Sequence, residues 1–550
     1  MRTFPRLIGS LARCALAFLA LAQAVHPAWA DSPEPVLLTW EELEAQGAKI
    51  GKIHVDTLDV FDLTDPREDK SFYRAVNFLH LTTRPVVIAR TLLFKSGEPV
   101  SARLIEETQR VLLGYKYIYA VDIRPRAYHE GVVDIDVITR DTWTLDVVFS
   151  LSHTGGANSS RIGLTEYNLL GTATTLGIFQ TSTPDRHGTQ FQLTYPQAFD
   201  NWTTVSYTES RNSDGENQAA VISRPFYALD TRWAAGGNWL RNNRIDSVYN
   251  AGESVSQFRH LTEGGQVSGG WSPGLIDGWA NRFSGGISVQ DDTYSMVPGQ
   301  VSTSPFPVDH NVRGPFFLYE LVEDRFVRMR NHDQIGRTEF IQLGLDAQLQ
   351  LTQSLKGWGS TQSAMLYSLT ASDGFTLPWE HNLLATAIAE RYIASTGEPL
   401  AHEGVNLRYY APQGPRSAIF TSLTYDHIGT AAAPDQLQIG GDTGLRGYPL
   451  RYQEGEDRAL LTIEGRYYTD FYPWRLFRVG AAAFYDRGRA WGGVNQNTVN
   501  GGWLSDVGVG LRLSLDRTFP RVLHLDVAVP LDRVEGIKRV QYLVRTEVAF

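Results

Sequence analysis

The chain of 550 residues is poor in several things that would each point to a different class of protein. It holds a single cysteine, Cys14, near the N-terminus. Disulfides and thiolate metal sites are thereby excluded from the rest of the chain. Cys14 also precedes the apolar stretch, where a lipid-acylation motif would need it to follow. No later segment approaches 18 uninterrupted apolar residues, so no membrane-crossing helix is expected. Basic excess is missing too: 50 Lys and Arg stand against 60 Asp and Glu, a net charge of −10. Nucleic-acid binding, which needs a basic footprint, is disfavoured. No His-Glu-x-x-His, Gly-x-x-x-x-Gly-Lys-Ser/Thr or Gly-x-Ser-x-Gly occurs, and His402-Glu403 lacks the second histidine. The chain therefore reads as a non-enzyme without cofactor or metal, and Asp291-Asp292 reads as a solvated loop pair.

What is present begins with an export signal. Arg2 and Arg6 precede a short apolar run over 14–25, and Ala28-Trp29-Ala30 offers small residues at the cleavage positions. Cleavage before Asp31 is expected. Residues 1–30 form the signal peptide, 31–49 a leader, 50–140 a mixed α/β domain, and 145–550 a long β region. In the α/β part, Ile53, Val55, Leu58 and Val60 suggest a strand, and 71–81 a helix. Ser101 is a candidate N-cap for a helix carrying Leu104, Ile105, Thr108, Val111 and Leu112. Tyr119–Arg126 and Val132–Thr139 read as strands around the turn His129-Glu130-Gly131.

From Trp143 the pattern is short alternating segments between Gly, Asn, Asp and Pro clusters. Val507, Val509, Leu511, Leu513 and Leu515 share one face; Gly508, Gly510, Arg512 and Ser514 share the other. Leu523, Leu525, Val527 and Val529 alternate with His524, Asp526 and Ala528. Tyr542, Val544, Thr546, Val548 and Phe550 alternate in the same way. A soluble sandwich would turn the apolar face into a core; a membrane barrel turns it to lipid. The export signal, the lack of cysteine and the terminal aromatic favour the barrel. The polar run 209–217 reads as an exposed loop, and strands in 291–336 are not placed.

Gly440-Gly441-Asp442-Thr443-Gly444-Leu445-Arg446-Gly447-Tyr448 is followed by Thr462-Ile463-Glu464-Gly465-Arg466-Tyr467 and Phe484-Tyr485-Asp486-Arg487-Gly488. These segments resemble the BamA/TamA superfamily, the bacterial surface antigen family. There a long external loop folds into the barrel with an Arg-Gly-Phe/Tyr tip, and a later strand carries Phe-x-Asp-x-Gly. Thr165-Glu166-Tyr167-Asn168-Leu169-Leu170-Gly171 resembles the family's early-barrel pattern. The strand–helix–helix–strand–strand block resembles a POTRA domain, and Tyr542, Val548 and Phe550 resemble the C-terminal assembly signal. By alternation, Val479, Ala481, Ala483 and Tyr485 face lipid, which puts Phe484, Asp486 and Gly488 inside; Leu461, Ile463 and Tyr467 face out, which puts Glu464 and Arg466 inside. Arg446 is expected to pair with Asp486 and Glu464 through charge-assisted bonds. Gly447 is expected to permit a tight turn, and Gly488 to leave room for the loop.

The resemblance implies a transmembrane antiparallel β-barrel of about 16 strands behind a periplasmic POTRA-like domain, in the bacterial outer membrane. The number of alternating segments runs from sixteen to about twenty. The implied role is assembly, insertion or translocation of unfolded outer-membrane or secreted client proteins. Membrane lipids and accessory periplasmic or lipoprotein subunits are the other implied partners. A two-partner secretion pore is the alternative, although that group usually carries two POTRA domains and a plug helix, and residues 31–140 leave little room for them. A client-free channel or structural barrel is the third reading.

Overall fold

The computed structural model describes residues 38–548 apart from 155, 251, 303–305, 395–399, 430–435, 493–500, 516, 518–520 and 533–536. The expected signal segment with Ala28, Ala30 and Asp31, and the terminal Phe550, lie outside the described residues.

The N-terminal unit begins with helix α1 (Trp40–Ala45), inside the stretch expected to be a plain leader. Thr39 and Glu42 close a reciprocal capping box there, and Leu43 is fully buried. Strand β1 (Lys49–Leu58) follows, then α2 (Ser71–Leu79), α3 (Pro85–Thr91) and α4 (Ala102–Leu113), then β2 (Ile118–His129) and β3 (Val132–Asp141). Pro85 sits in the first turn of α3, where its missing N–H costs nothing. Ser101 caps α4 by accepting from the Leu104 N–H. The sheet order is β1-β3-β2, with β1 parallel and β2 antiparallel to β3. Glu130 and Gly131, both at positive φ, make the two-residue turn between β2 and β3. Leu43, Ile50, Ile88, Leu112, Ile135 and Val137 form the core between helices and sheet.

Beyond Thr144 the strands close into one antiparallel barrel. Among the described residues its ring contains 21 strands, of which Leu275–Ile276 is a two-residue fragment beside the direct pairing of Glu253–Trp271 with Trp279–Met296. The ring thus exceeds the sixteen strands that the resemblance implies and matches the upper end of the alternation count. The run 209–217, expected as a loop, instead continues the paired strands Thr204–Asn212 and Gly215–Arg224. Asp291 and Asp292 lie on the strand Trp279–Met296 rather than in a loop. Asp291 holds Arg313, and Asp292 accepts from Thr262 and lies 2.9 Å from His260 Nε2.

Side chains follow the period-two expectation. Val507, Val509, Leu511 and Leu515 are exposed on the outer wall, while Arg512 and Ser514 are buried inside. Val527 and Val529 point out; Asp526 and Ala528 point in. The last strand, Gln541–Val548, meets the first, Leu145–Thr154; among the described residues one register pair joins them, Val544 with His153. Neighbouring strands are zipped along most of their length.

One connection turns inward. Between the strands His310–Glu323 and Asp346–Ser354, residues Phe326–Arg330 and Thr338–Gln342 pair as a hairpin outside the ring. Ile341 and Leu343, with Val327 and Met329, pack on Leu384, Tyr410 and Phe420 of the inner wall. At the hairpin tip the His332 ring stacks on Tyr410 with centroids 3.6 Å apart, and Glu339 accepts the backbone N–H groups of His332, Asp333 and Gln334. The region 291–336, whose strands the sequence leaves unplaced, thus holds the end of Trp279–Met296, the wall strand His310–Glu323 and the first arm and tip of this hairpin.

Candidate functional site: a docked loop inside the barrel

The connection between the strands Ser417–Gly429 and Asp457–Tyr468 enters the barrel from the end opposite the N-terminal unit. Its two arms pair as Leu437–Ile439 with Gln453–Gly455. Ile439, Leu445 and Tyr448 are fully buried and pack together with Tyr452, Ala490 and Leu504. This apolar wedge carries Arg446 to the wall, where the residue is 3% exposed.

Arg446 meets Asp486 through a two-point fork, Nε to Oδ2 at 2.7 Å and NH2 to Oδ1 at 2.9 Å. Its NH1 donates to Glu464 at 3.0 Å and to Asp526 at 3.5 Å. The guanidinium carbon stands 3.3 Å over the Phe484 ring, a cation–π contact on the remaining face. Planar, bidentate recognition of this kind suits arginine and not lysine. The strands explain the geometry: Glu464 is paired in register with Phe484, and Thr462 with Asp486. Alternation then aims Glu464, Phe484 and Asp486 inward together. Thr462 adds a hydroxyl donor to Asp486 at 2.9 Å.

Further groups complete the site. Arg512 bridges Glu464 and Asp526, and Arg466 holds the other Glu464 oxygen at 3.0 Å. The Gly447 N–H donates to Asp506 at 2.8 Å, and Tyr448 Oη donates to the Ser505 carbonyl at 2.9 Å and reaches Asp532 at 3.0 Å. Asp506, Asp526 and Arg512 lie on the polar face of the C-terminal alternation. That face shows them as interior residues, but nothing in their spacing ties them to the loop.

Gly447 has a role other than the one expected. The loop glycine at positive φ is Gly444 (113°), not Gly447. A Cβ on Gly447 would lie 2.6 Å from the Asp506 Cβ and 3.0 Å from the Pro530 nitrogen. Close approach to the wall, rather than a turn, requires glycine there. Gly488 does leave room for the loop: a Cβ would stand 2.3 Å from Ile439 Cδ1. Gly440 is similarly tight, against the Pro449 carbonyl, and Gly441 is buried. Asp442 is exposed and stands apart from the cluster.

Arg466 links this loop to the inward hairpin, because its NH1 donates to the His332 carbonyl at 3.1 Å. Tyr468 Oη donates to the Asn331 carbonyl nearby. The lumen is therefore filled from both ends, and the two fillers share the Glu464–Arg466 pair.

No protein-family model and no curated protein matches the chain. Among the solved structures similar to it are three barrels. CdiB from Escherichia coli is 13% identical, with 92% of this chain and 77% of that one covered and a TM-score of 0.47. CdiB from Acinetobacter baumannii is 11% identical over 91% and 73%, with a TM-score of 0.43. BamA from Haemophilus ducreyi lacking POTRA domains 1–3 is 13% identical over 90% and 85%, with a TM-score of 0.40. The chain is similar to BamA and CdiB.

At the opposite end of the barrel the N-terminal unit is bolted to the first wall turn. Thr83 donates its N–H and hydroxyl to Asp141, at 2.7 and 2.9 Å, and Asn168 Nδ2 donates to the Thr83 hydroxyl at 2.8 Å. The Arg84 N–H donates to the Gly171 carbonyl. Gly171 sits at φ 72°, and a Cβ there would stand 2.5 Å from the Thr82 carbonyl. The segment Thr165–Gly171 thus serves as a docking turn. Burial pushes the Asp141 carboxyl up to about 7 despite the Thr83 donors, and burial lowers the adjacent His80 despite Asp59. The unit also reaches the rest of the rim. Gln197 donates to the Val87 carbonyl, Glu107 accepts from the Leu229 N–H, and Arg328 of the inward hairpin donates to Gln109. Of the expected C-terminal signal, Tyr542 points outward on the last strand, and the described residues stop at Val548.

Proposed function

We propose that this protein is an outer-membrane barrel of the BamA/TamA type that inserts or translocates other proteins, with residues 40–141 acting as a single periplasmic POTRA-like domain. The observation that carries the reading is Arg446, delivered by an inward loop to carboxylates on three wall strands. A plain channel has no need to hold a loop against its wall with buried ion pairs, which cost several kcal/mol of desolvation per ion. In this reading the loop braces the wall beside the seam between the strands Gln541–Val548 and Leu145–Thr154. Among the described residues the seam is joined by one register pair, and in this reading it is where a client strand would add. The sheet β1-β3-β2 offers β-augmentation at its edges to an unfolded client. Membrane lipids and accessory subunits complete the proposed partners, and no cofactor or catalytic group is invoked.

The test is quantitative proteomics of the outer membrane and the culture medium with the gene present, deleted, and replaced by Arg446→Ala. Depletion of other barrels, partly reproduced by the variant, supports assembly. Loss of one secreted protein with the membrane unchanged supports a dedicated secretion pore, the second reading. No change in either fraction refutes a client-handling role.

A further inference from the structure

Residues 60–84 run along the barrel rim from one side of the seam to the other. On one side, Tyr73 Oη of α2 donates to the Trp474 carbonyl at 2.7 Å. Glu68 accepts from Arg475 at 2.9 Å and from Arg517 at 2.7 Å. Trp474 and Arg475 lie in the turn before the strand Phe477–Trp491, and Arg517 in the turn before Arg521–Pro530. On the other side, Thr83 and Arg84 are bonded to Asn168 and Gly171, as above. Between these anchors the ring passes through Gln541–Val548 and Leu145–Thr154, the two strands of the seam. The segment therefore crosses the base of the seam as a strap.

The run 62–70 is polar, with Arg67 exposed, and Arg74 of α2 is exposed beside Asp69; the rest of the outer face of α2 is apolar. Tyr73, Val76 and Asn77 of α2 turn inward, toward Phe61 and the barrel. Phe72, Ala75 and Leu79 form a stripe on the other side, with Phe78 beside it. Phe72 is 56% exposed, Phe78 87% and Leu79 69%, and Leu81 follows. The same rim turn that holds Tyr73 exposes Phe471 and Trp474, the latter 72%. Aromatic residues at a barrel rim sit at the membrane interface, so the stripe continues a lipid-facing belt.

We propose that α2 is seated in the inner leaflet of the membrane and that residues 60–84 form a lipid-anchored strap across the base of the seam. Its partner is the phospholipid surface itself. The inference rests on the barrel being a membrane barrel. A seam crossed in this way can part at its base only after the strap leaves the lipid or releases one anchor.

The test uses the full chain, with Cys14 replaced by serine, in phosphatidylethanolamine–phosphatidylglycerol vesicles. Single cysteines at Phe78→Cys, at Val509→Cys on the outer wall and at Arg124→Cys on the N-terminal sheet carry an environment-sensitive fluorophore. Lipid-borne nitroxide and aqueous iodide are compared as quenchers. The expected result is that positions 78 and 509 are quenched several-fold more by the nitroxide lipid, and position 124 by iodide. Iodide quenching at 78 with lipid quenching at 509 overturns the strap and leaves the barrel reading intact. Shielding of 78 from both quenchers means a protein covers it, which also overturns the proposal. Iodide quenching at 509 refutes the membrane barrel, and the strap with it. If Phe78→Cys loses the heat-modifiable migration of a folded barrel, Phe72→Cys takes its place.

Discussion

Replacing Arg446 by alanine removes the one guanidinium that grips Asp486 at two points. Asp486 is fully buried, and it would then keep the Thr462 hydroxyl and the side chain of Asp506 beside it. Glu464 loses less, since Arg466 and Arg512 remain beside it. Breaking a buried ion pair from one side typically costs about 3–5 kcal/mol, because the surviving charge stays desolvated. The expected loss for Arg446→Ala is in that range. Asp486→Ala should cost a similar amount, and Glu464→Ala should take one partner from each of Arg446, Arg512 and Arg466, which keep Asp486, Asp526 and the His332 carbonyl. The double variant Arg446→Ala/Asp486→Ala should cost less than the sum of its parts, since no orphaned charge remains. Arg446→Lys keeps the charge but loses the fork and the stacking on Phe484, so it should fall between wild type and alanine. The assay is the thermal midpoint of heat-modifiable gel migration in detergent, with protease cleavage within 437–455 as a second readout. Export should persist, because the wall strands themselves are unchanged. Unaltered midpoints and unaltered loop protection in Arg446→Ala, Asp486→Ala and Glu464→Ala would refute the docked loop.

Gly447→Ala should destabilise the barrel by about 1–3 kcal/mol through overpacking, seen as a lower midpoint, because its Cβ meets the Asp506 Cβ and the Pro530 backbone; a midpoint equal to wild type would show that the wall can yield. Asp141 makes docking of the N-terminal unit pH-dependent. Its carboxyl is raised from 3.8 to about 7, so the contribution is fully present below the unfolded value and is lost as pH rises through 7. At 1.36 kcal/mol per unit this amounts to about 4 kcal/mol as an upper bound. Protease release of residues 38–141 should accelerate as pH rises from about 4 to 7 and level off above that, and Asp141→Asn should flatten that dependence; a flat wild-type profile would contradict it. Arg466→Ala cuts the tie between the inward hairpin and Glu464, so planar-bilayer conductance should rise several-fold, and an unchanged conductance would show that packing and the tyrosine bonds hold the hairpin without Arg466.

Period-two alternation made the wall and its inner face legible from the residues themselves. The positions of Glu464, Phe484 and Asp486 follow from parity, because one wrong step would reverse every side chain of a strand. The loop arginine came from the motif, since nothing in a loop's own pattern says which way it turns. Physical reasons account for what was not legible. The strands Phe326–Arg330 and Thr338–Gln342 alternate like wall strands, and only contacts distant in sequence, such as His332 on Tyr410, reveal that they lie inside. Helix α3 is a seven-residue Pro-Val-Val-Ile segment whose β-branched side chains conceal a helix. At Gly447 the sequence suggests conformational freedom, whereas the constraint is the neighbouring wall, which only tertiary structure supplies.

Width gives the inward hairpin its meaning. Barrels of 16–18 strands already leave an aqueous channel, and this ring is wider still. In the outer membrane proposed above, such a cylinder left hollow would leak nutrients, ions and toxins alike. There, part of the connection between two strands would serve as stuffing, so that a large circumference is kept without opening the permeability barrier. A shortened hairpin would then be expected to reveal itself first as sensitivity to large antibiotics, before any defect in folding appeared.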